Sequence, residues 1–247
     1  ISLFQNTGAS NTAVGAFSLQ GNTSGASNTA LGYNALKFNT TGNQNTAIGR
    51  GAIDANTTGQ FNVGVGQDAL GATTTASHNV AVGTSSLTYN TTGGENTALG
   101  HAALLNNTTA DENVAVGYSA MVSNTTGNLN TAVGTYALDA NQTGQGNTAV
   151  GHMALTDSTG HSNTAVGNRA SYENTSGRDN VAIGNNALNA NTTSNSNVAV
   201  GSFSLFDNTA ANNTAVGHQS LYENTSGTRN TGTGAFVMAN NTTGSDN

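Results

Sequence analysis

The residues whose chemistry could drive a reaction are few and thinly spread. The five histidines are His78, His101, His152, His161 and His218. His101, His152 and His218 each follow a glycine, but 51 and 66 residues separate them. The acids Asp54, Asp68, Glu95, Glu112, Asp139, Glu173, Asp179 and Glu223 show no Gly-Gly-x-Gly-x-Asp rhythm, so the nonapeptide calcium roll is absent. Glycoside hydrolysis needs two carboxylates with one pKa raised by burial, and nothing here points to such burial. No Gly-Lys-Ser/Thr follows the glycines and no dinucleotide fingerprint precedes a helix. The absence of Cys removes thiol catalysis and Cys-based zinc sites. The expectation is a protein that is not an enzyme, with no catalytic residue, no metal and no cofactor.

One modification motif does recur. Asn-x-Ser/Thr, the N-glycosylation acceptor, stands at Asn22, Asn39, Asn56, Asn90, Asn107, Asn124, Asn141, Asn174, Asn191, Asn224 and Asn241. In a glycosylating organism these would carry a row of glycans along one edge. In a bacterial or phage protein the same residues serve as turn chemistry. The neighbouring threonines could carry O-linked sugars.

The background to these residues is unusual. Asn (39), Thr (39) and Gly (32) make up almost half of the 247 residues, while charged residues are 7% and Pro, Cys and Trp are absent. That leaves little material for a large hydrophobic core. A net charge of −7 with only five Lys and Arg disfavours a nucleic-acid partner. No apolar run reaches eighteen residues, so no membrane insertion is expected of this segment. The opening residues carry no signal-peptide pattern.

What organises the chain is a repeat. Asn28-Thr29-Ala30-Leu31-Gly32 leads through Leu36 to Asn39-Thr40-Thr41-Gly42, and Asn45 starts the pattern again. The unit is N-T-A-V-G-x-x-A-L-x-x-N-T-T-G-x-x, opening at Asn11 and recurring fourteen times to Asn247. We number its positions 1 to 17 and its coils 1 to 14. Position 5 is always Gly, as at Gly32, Gly49 and Gly83. Position 4 is Val, Leu or Ile in all but one unit, as at Val82, and position 9 is mostly Leu, as at Leu36 and Leu87. The units from Asn147 and Asn197 are one residue short, in or beside the N-T-T-G segment. This marks the segment as a loop, because a strand that loses a residue flips its faces.

A recurrent glycine and a period of 17 exclude a helical repeat. Two short strands fit instead, one near positions 1–4 and one near 7–10, with a bend at the glycine. Stacked coil on coil, they form a parallel β-roll or narrow β-solenoid rising roughly 4.8 Å per coil, or roughly 67 Å in all. His101, His152 and His218 are then roughly 14 and 19 Å apart, too far to share a metal. Alternation places position 3 on one face of the strand and positions 2 and 4 on the other. Two apolar faces suggest two buried surfaces, one inside the coil and one against another chain, most simply in a trimer. The alternative is a single thicker solenoid with positions 4 and 9 both inside. The Asn column at position 1, including Asn28, Asn45 and Asn79, is expected to form a ladder of side-chain amides.

N-T-A-V-G-x-x-A resembles the N-S-V-A-I-G-x-x-A signature of the YadA-like head repeats of trimeric autotransporter adhesins. Asn79-Val80-Ala81-Val82-Gly83 and Asn180-Val181-Ala182-Ile183-Gly184 carry the closest matches. Related repeats occur in bacterial surface fibres and phage tail-fibre-like proteins. The resemblance spans residues 11–247. It implies a left-handed parallel β-roll packed as a homotrimer in a surface-exposed, often adhesive fibre. The period differs, because the adhesin repeat is shorter and lacks the N-T-T-G loop.

Residues 1–10 make a partial coil and 11–247 fourteen full ones, which the repeat unites in one domain. The chain ends where a further unit would begin, with no atypical capping coil. The expectation is a structural segment of an extracellular, cell-surface or tail fibre that supports attachment, with a host receptor or glycan as partner. The alternatives are a self-stacking, glycan-coated filament and an ice- or glycan-binding solenoid. Ice binding would call for paired Thr columns on a rigid face, whereas the strand offers one. The aromatics Phe17, Tyr136, Phe203 and Phe236 at position 7, and Phe206 and Tyr222 at position 10, are expected to pack between coils or chains.

Overall fold

A computed structural model describes residues 6–247. The chain is an all-β parallel β-solenoid of fourteen coils, each contributing one three-residue strand at positions 2–4. The coils group into two compact units, residues 1–126 and 127–247. The first holds β1 (Thr12–Val14) through β7 (Val114–Val116), and the second holds β8 (Thr131–Val133) through β14 (Thr231–Thr233). Within each unit the strands pair in chain order and in parallel. The register is strict: Val80↔Thr97, Ala81↔Ala98, Val82↔Leu99. It holds across the short coils too, with Thr148↔Thr164 and Val198↔Thr214, so the missing residue is absorbed in the loop.

Every strand is followed by the invariant glycine, and its backbone shows why no other residue serves. Gly83 has φ +136, a region open to glycine alone, and a Cβ there would collide with the carbonyl of Gly100 one coil on.

The second strand expected at positions 7–10 does not form. Positions 6–11 are consecutive turns, and positions 7 and 9 take positive φ in coil after coil: Asn34 59° and Leu36 50°, Ser85 58° and Leu87 49°. The resulting backbone still bonds between coils. The Ser85 N–H donates back to Gln67 O at 2.9 Å, and the Leu87 N–H donates forward to Ala103 O at 3.0 Å. A leucine in the left-handed region costs roughly 1–2 kcal/mol. Burying its side chain returns roughly 1.5–3 kcal/mol and offsets that cost, and the turn keeps its form even at Ser171, with φ 51°.

The core is narrow. Ala at position 3, Ala or Ser at position 8 and Leu at position 9 are fully enclosed, as at Ala30, Ala35 and Leu36 or Ala98, Ala103 and Leu104. Position 4 lies outside. The thicker solenoid with positions 4 and 9 both inside is therefore not what forms, because strand alternation turns position 4 away from the Ala of position 3.

Candidate interaction surface

Three surfaces run along each unit: the strand face, the N-T-T-G edge and the corner at positions 6, 7, 10 and 11.

The strand face carries positions 2 and 4. Val14, Leu31 and Leu99 are 56, 46 and 47% exposed, and Val82 is half-buried. No charged residue stands at either position in any coil; all seventeen lie at positions 6, 7, 10, 11, 16 or 17. The result is an apolar and Thr-bearing stripe with its charges held to one side.

The N-T-T-G edge differs from its expected form. Ten of the eleven sequon asparagines, Asn22, Asn39, Asn56, Asn90, Asn107, Asn124, Asn141, Asn174, Asn191 and Asn224, are fully buried, and Asn241 is half-buried. The Nδ2 that would accept a glycan is engaged. Asn39 Nδ2 donates to Asn22 Oδ1 at 2.7 Å and to Gly42 O at 3.0 Å. On the folded coil a glycan at these atoms would have to displace both bonds and enter the core. The next residue also looks inward: Thr40 Oγ1 donates to Thr57 O at 2.8 Å and Thr57 Oγ1 to Thr74 O at 3.0 Å. Position 14, as at Thr41, Thr58 and Thr92, is exposed, and position 13 is exposed too in several coils, as at Thr175 and Thr225, while still bonding to the next coil. One Thr of the pair is thus used between coils, leaving a single free column.

The position-1 ladder forms more completely than a half-buried one. Asn28, Asn45 and Asn79 are fully buried. Asn79 Oδ1 accepts from the backbone N–H of Asn96 at 3.0 Å and from its Nδ2 at 3.2 Å, while Asn79 Nδ2 donates to Gly93 O at 2.9 Å. Sequence reasoning missed that position 12 builds a second ladder beside it. The signal was present: twelve of fourteen coils have Asn there and the exceptions, Thr73 and Ser158, keep a hydroxyl. A solvated turn would tolerate more variety.

The titratable and aromatic residues lie at this corner and at the turn of positions 16 and 17. Among the described residues no group of three or more His, Asp or Glu is placed to hold a metal. Four histidines meet one ring, amide or backbone neighbour each: His101 stacks on Tyr118 at 5.2 Å, His78 stacks on Phe61 at 4.8 Å, His152 Nδ1 lies 3.2 Å from Asn168 Nδ2, and His161 Nδ1 accepts from the Gln145 N–H. Asp139 is half-buried. Its desolvation, reinforced by the nearby Asp157 charge, raises its pKa to about 6, and its Oδ1 has no hydrogen-bond partner. Asp54 is raised too, by burial first and then by Asp68.

Aromatic rings gather at this corner, from coil to coil. Phe17 meets Tyr33 edge-on at 5.8 Å. In coils 12–14 Phe203, Phe206, His218, Tyr222 and Phe236 form a chain of contacts, with Phe206 and Tyr222 stacked at 5.3 Å. Cations sit on other rings: Lys37 Nζ is 4.7 Å from the Phe38 centroid, and the Arg169 guanidinium is 4.9 Å from that of Tyr172.

Among the described residues no helix is long and apolar enough to cross a membrane. No protein-family model, no curated protein and no solved structure matches the chain, so a functional reading has to rest on these three surfaces.

Proposed function

We propose that this protein is a non-enzymatic structural segment of an extracellular fibre supporting surface attachment, and that copies pack strand face to strand face, most simply as a homotrimer. The observation that carries the reading is the uncharged strand face, with Val, Leu or Ile at position 4 in every coil but the last. Each chain closes its own core with positions 3, 8 and 9, and the outward Val, Leu and Ile of position 4 lie outside that core. At roughly 50 Å² per half-exposed side chain, the two columns over seven strands offer about 700 Å², close to the roughly 800 Å² per partner of a standard interface. The extracellular setting and the trimer draw on the resemblance of the repeat to the adhesin heads. A glycan coat through the sequons fits less well, because those amides lie inside.

Sedimentation equilibrium tests the reading. The expected species has three times the 24.6 kDa chain mass. Val82→Lys combined with Leu99→Lys places charge on the face without touching the core and is expected to give folded monomers. A wild-type monomer at micromolar concentration would sink the packing proposal.

A further inference from the structure

Two coils of the second unit carry nearly the same corner. Coil 10 reads Arg169-Ala170-Ser171-Tyr172-Glu173, and coil 13 reads Gln219-Ser220-Leu221-Tyr222-Glu223. In coil 10 the Arg169 guanidinium lies over the Tyr172 ring at 4.9 Å. Coil 13 has the neutral Gln219 at the equivalent position and supplies no cation of its own. The first unit repeats the logic, with Lys37 Nζ within 6 Å of both the Phe17 and the Phe38 rings. Corner aromatics in this protein therefore take a cation where the coil supplies one.

The corner of coils 12–14 has rings without an internal cation. Tyr222 stacks on Phe206 on one side and contacts Phe203 at 6.4 Å. On its other side the next coil offers only Ala239 at position 10, too small to cover a ring face. Coils 11–14 have no Lys or Arg at positions 6, 7, 10 or 11. The carboxylates of Asp207 and Glu223 follow the two stacked rings directly in sequence. The nearest arginine in the chain, Arg229, stands at position 17 and pairs with Asp246. A π-face attracts a weakly hydrated cation, and carboxylates one residue along from each ring add negative charge to the same corner.

We propose that the corner formed by Phe206, Tyr222, Asp207 and Glu223 binds a small organic cation bearing a substituted ammonium group, which lies over Tyr222 where Arg169 lies over Tyr172. The inference is independent of the oligomeric packing, which uses the strand face.

Titration of the full chain with tetramethylammonium, followed through the aromatic ring signals by NMR, tests it. The expected result is a saturable shift confined to Phe203, Phe206 and Tyr222, with millimolar affinity suited to an exposed site. Gln219→Arg supplies the missing internal cation and is expected to abolish the shift. Arg169→Gln is expected to create a second site at Tyr172. Asp207→Asn with Glu223→Gln should weaken binding roughly threefold or more, because two nearby charges are removed. A melting temperature within a few degrees of wild type verifies that each variant folds. An equal response to tert-butanol, the neutral isostere, would reduce the corner to an apolar patch and overturn the proposal. So would binding of a methyl glycoside in place of the cation, or the absence of any saturable shift.

Discussion

Two columns of asparagine run side by side through the solenoid, and both send Nδ2 to the position-15 carbonyl: Asn28 at 2.8 Å and Asn39 at 3.0 Å converge on Gly42 O. They differ in what else depends on them. At position 1 the side-chain oxygen also accepts the backbone N–H of the next coil, as Asn28 Oδ1 does from Asn45 at 3.0 Å. At position 12 the backbone N–H is satisfied within its own turn, Asn39 donating to Leu36 O at 3.2 Å, so the side chain serves its ladder and the shared carbonyl but no backbone N–H of the next coil. The first column admits no substitute in fifteen occurrences, and the second admits Thr73 and Ser158. The first keeps its main-chain bond through both short coils, with Asn163 donating to Asn147 Oδ1 and Asn213 to Asn197 Oδ1, each at 3.0 Å, although Asn197 Nδ2 is itself buried without a partner. The second loses its amide ladder there: Asn174 Nδ2 meets Ser158 Oγ at 3.3 Å in place of an Asn oxygen, keeping its bond to Gly177 O at 3.1 Å, and Asn191 Oδ1 is buried without a partner. A residue that satisfies the main chain is constrained more tightly than one that satisfies its own kind, because its loss strands a buried donor.

This comparison can be broken in measurable ways. Asn79→Ala is expected to have the largest effect, a loss of about 3 kcal/mol in denaturant unfolding, since it orphans the buried Asn96 N–H and removes one of the two amide donors to the Gly93 carbonyl. Hydrogen exchange at Asn96 should accelerate in the same variant. Asn107→Thr, at the tolerant column, is expected to cost only about 1 kcal/mol, because Thr73 already occupies an equivalent place. Equal losses at the two sites would erase the distinction. In the opposite direction, Asn56 Oδ1 is buried with no partner, one coil before Thr73. Thr73→Asn should extend the second ladder across that gap and raise stability by about 1 kcal/mol, read as a higher denaturation midpoint.

The smallest effect lies outside both ladders. Asp139 has a folded-state pKa of about 6, above its ordinary 3.8, because burial and Asp157 disfavour its charged form. The folded state therefore holds this proton more tightly than the unfolded chain. Its contribution is complete below about pH 4 and is lost as pH rises through about 6. With the group half-exposed, about 1 kcal/mol is at stake after screening. Asp139→Asn should flatten the pH dependence of the melting temperature over that window, and an unchanged slope would remove Asp139 from the account.

Much of this architecture was legible in the residues. The period of 17, the invariant glycine and the deletions confined to one segment led to a parallel solenoid, a loop at N-T-T-G and an Ala face opposite a Val face. The position-1 ladder followed from the recurrence of Asn28, Asn45 and Asn79. Three features did not follow. Positions 7 and 9 were expected in a strand, because alternation of Ala and Leu looks the same whether the chain is extended or coiled through positive φ. The sequon asparagines were expected at a solvated edge, because Asn-Thr-Thr-Gly is good turn chemistry wherever it stands. The Tyr222 corner was expected as ring packing, and what distinguishes it is the cation on Tyr172 in a near-copy of the same coil.

The residues by themselves determined the repeat, the parallel stacking and the register, because each depends on spacing along the chain. Only the tertiary structure decided which way each side chain turns: Asn39 inward, Val82 outward, Leu36 folded under a left-handed turn. Direction depends on the coil above and the coil below. A solenoid residue meets those neighbours 17 positions away, beyond the reach of local propensity.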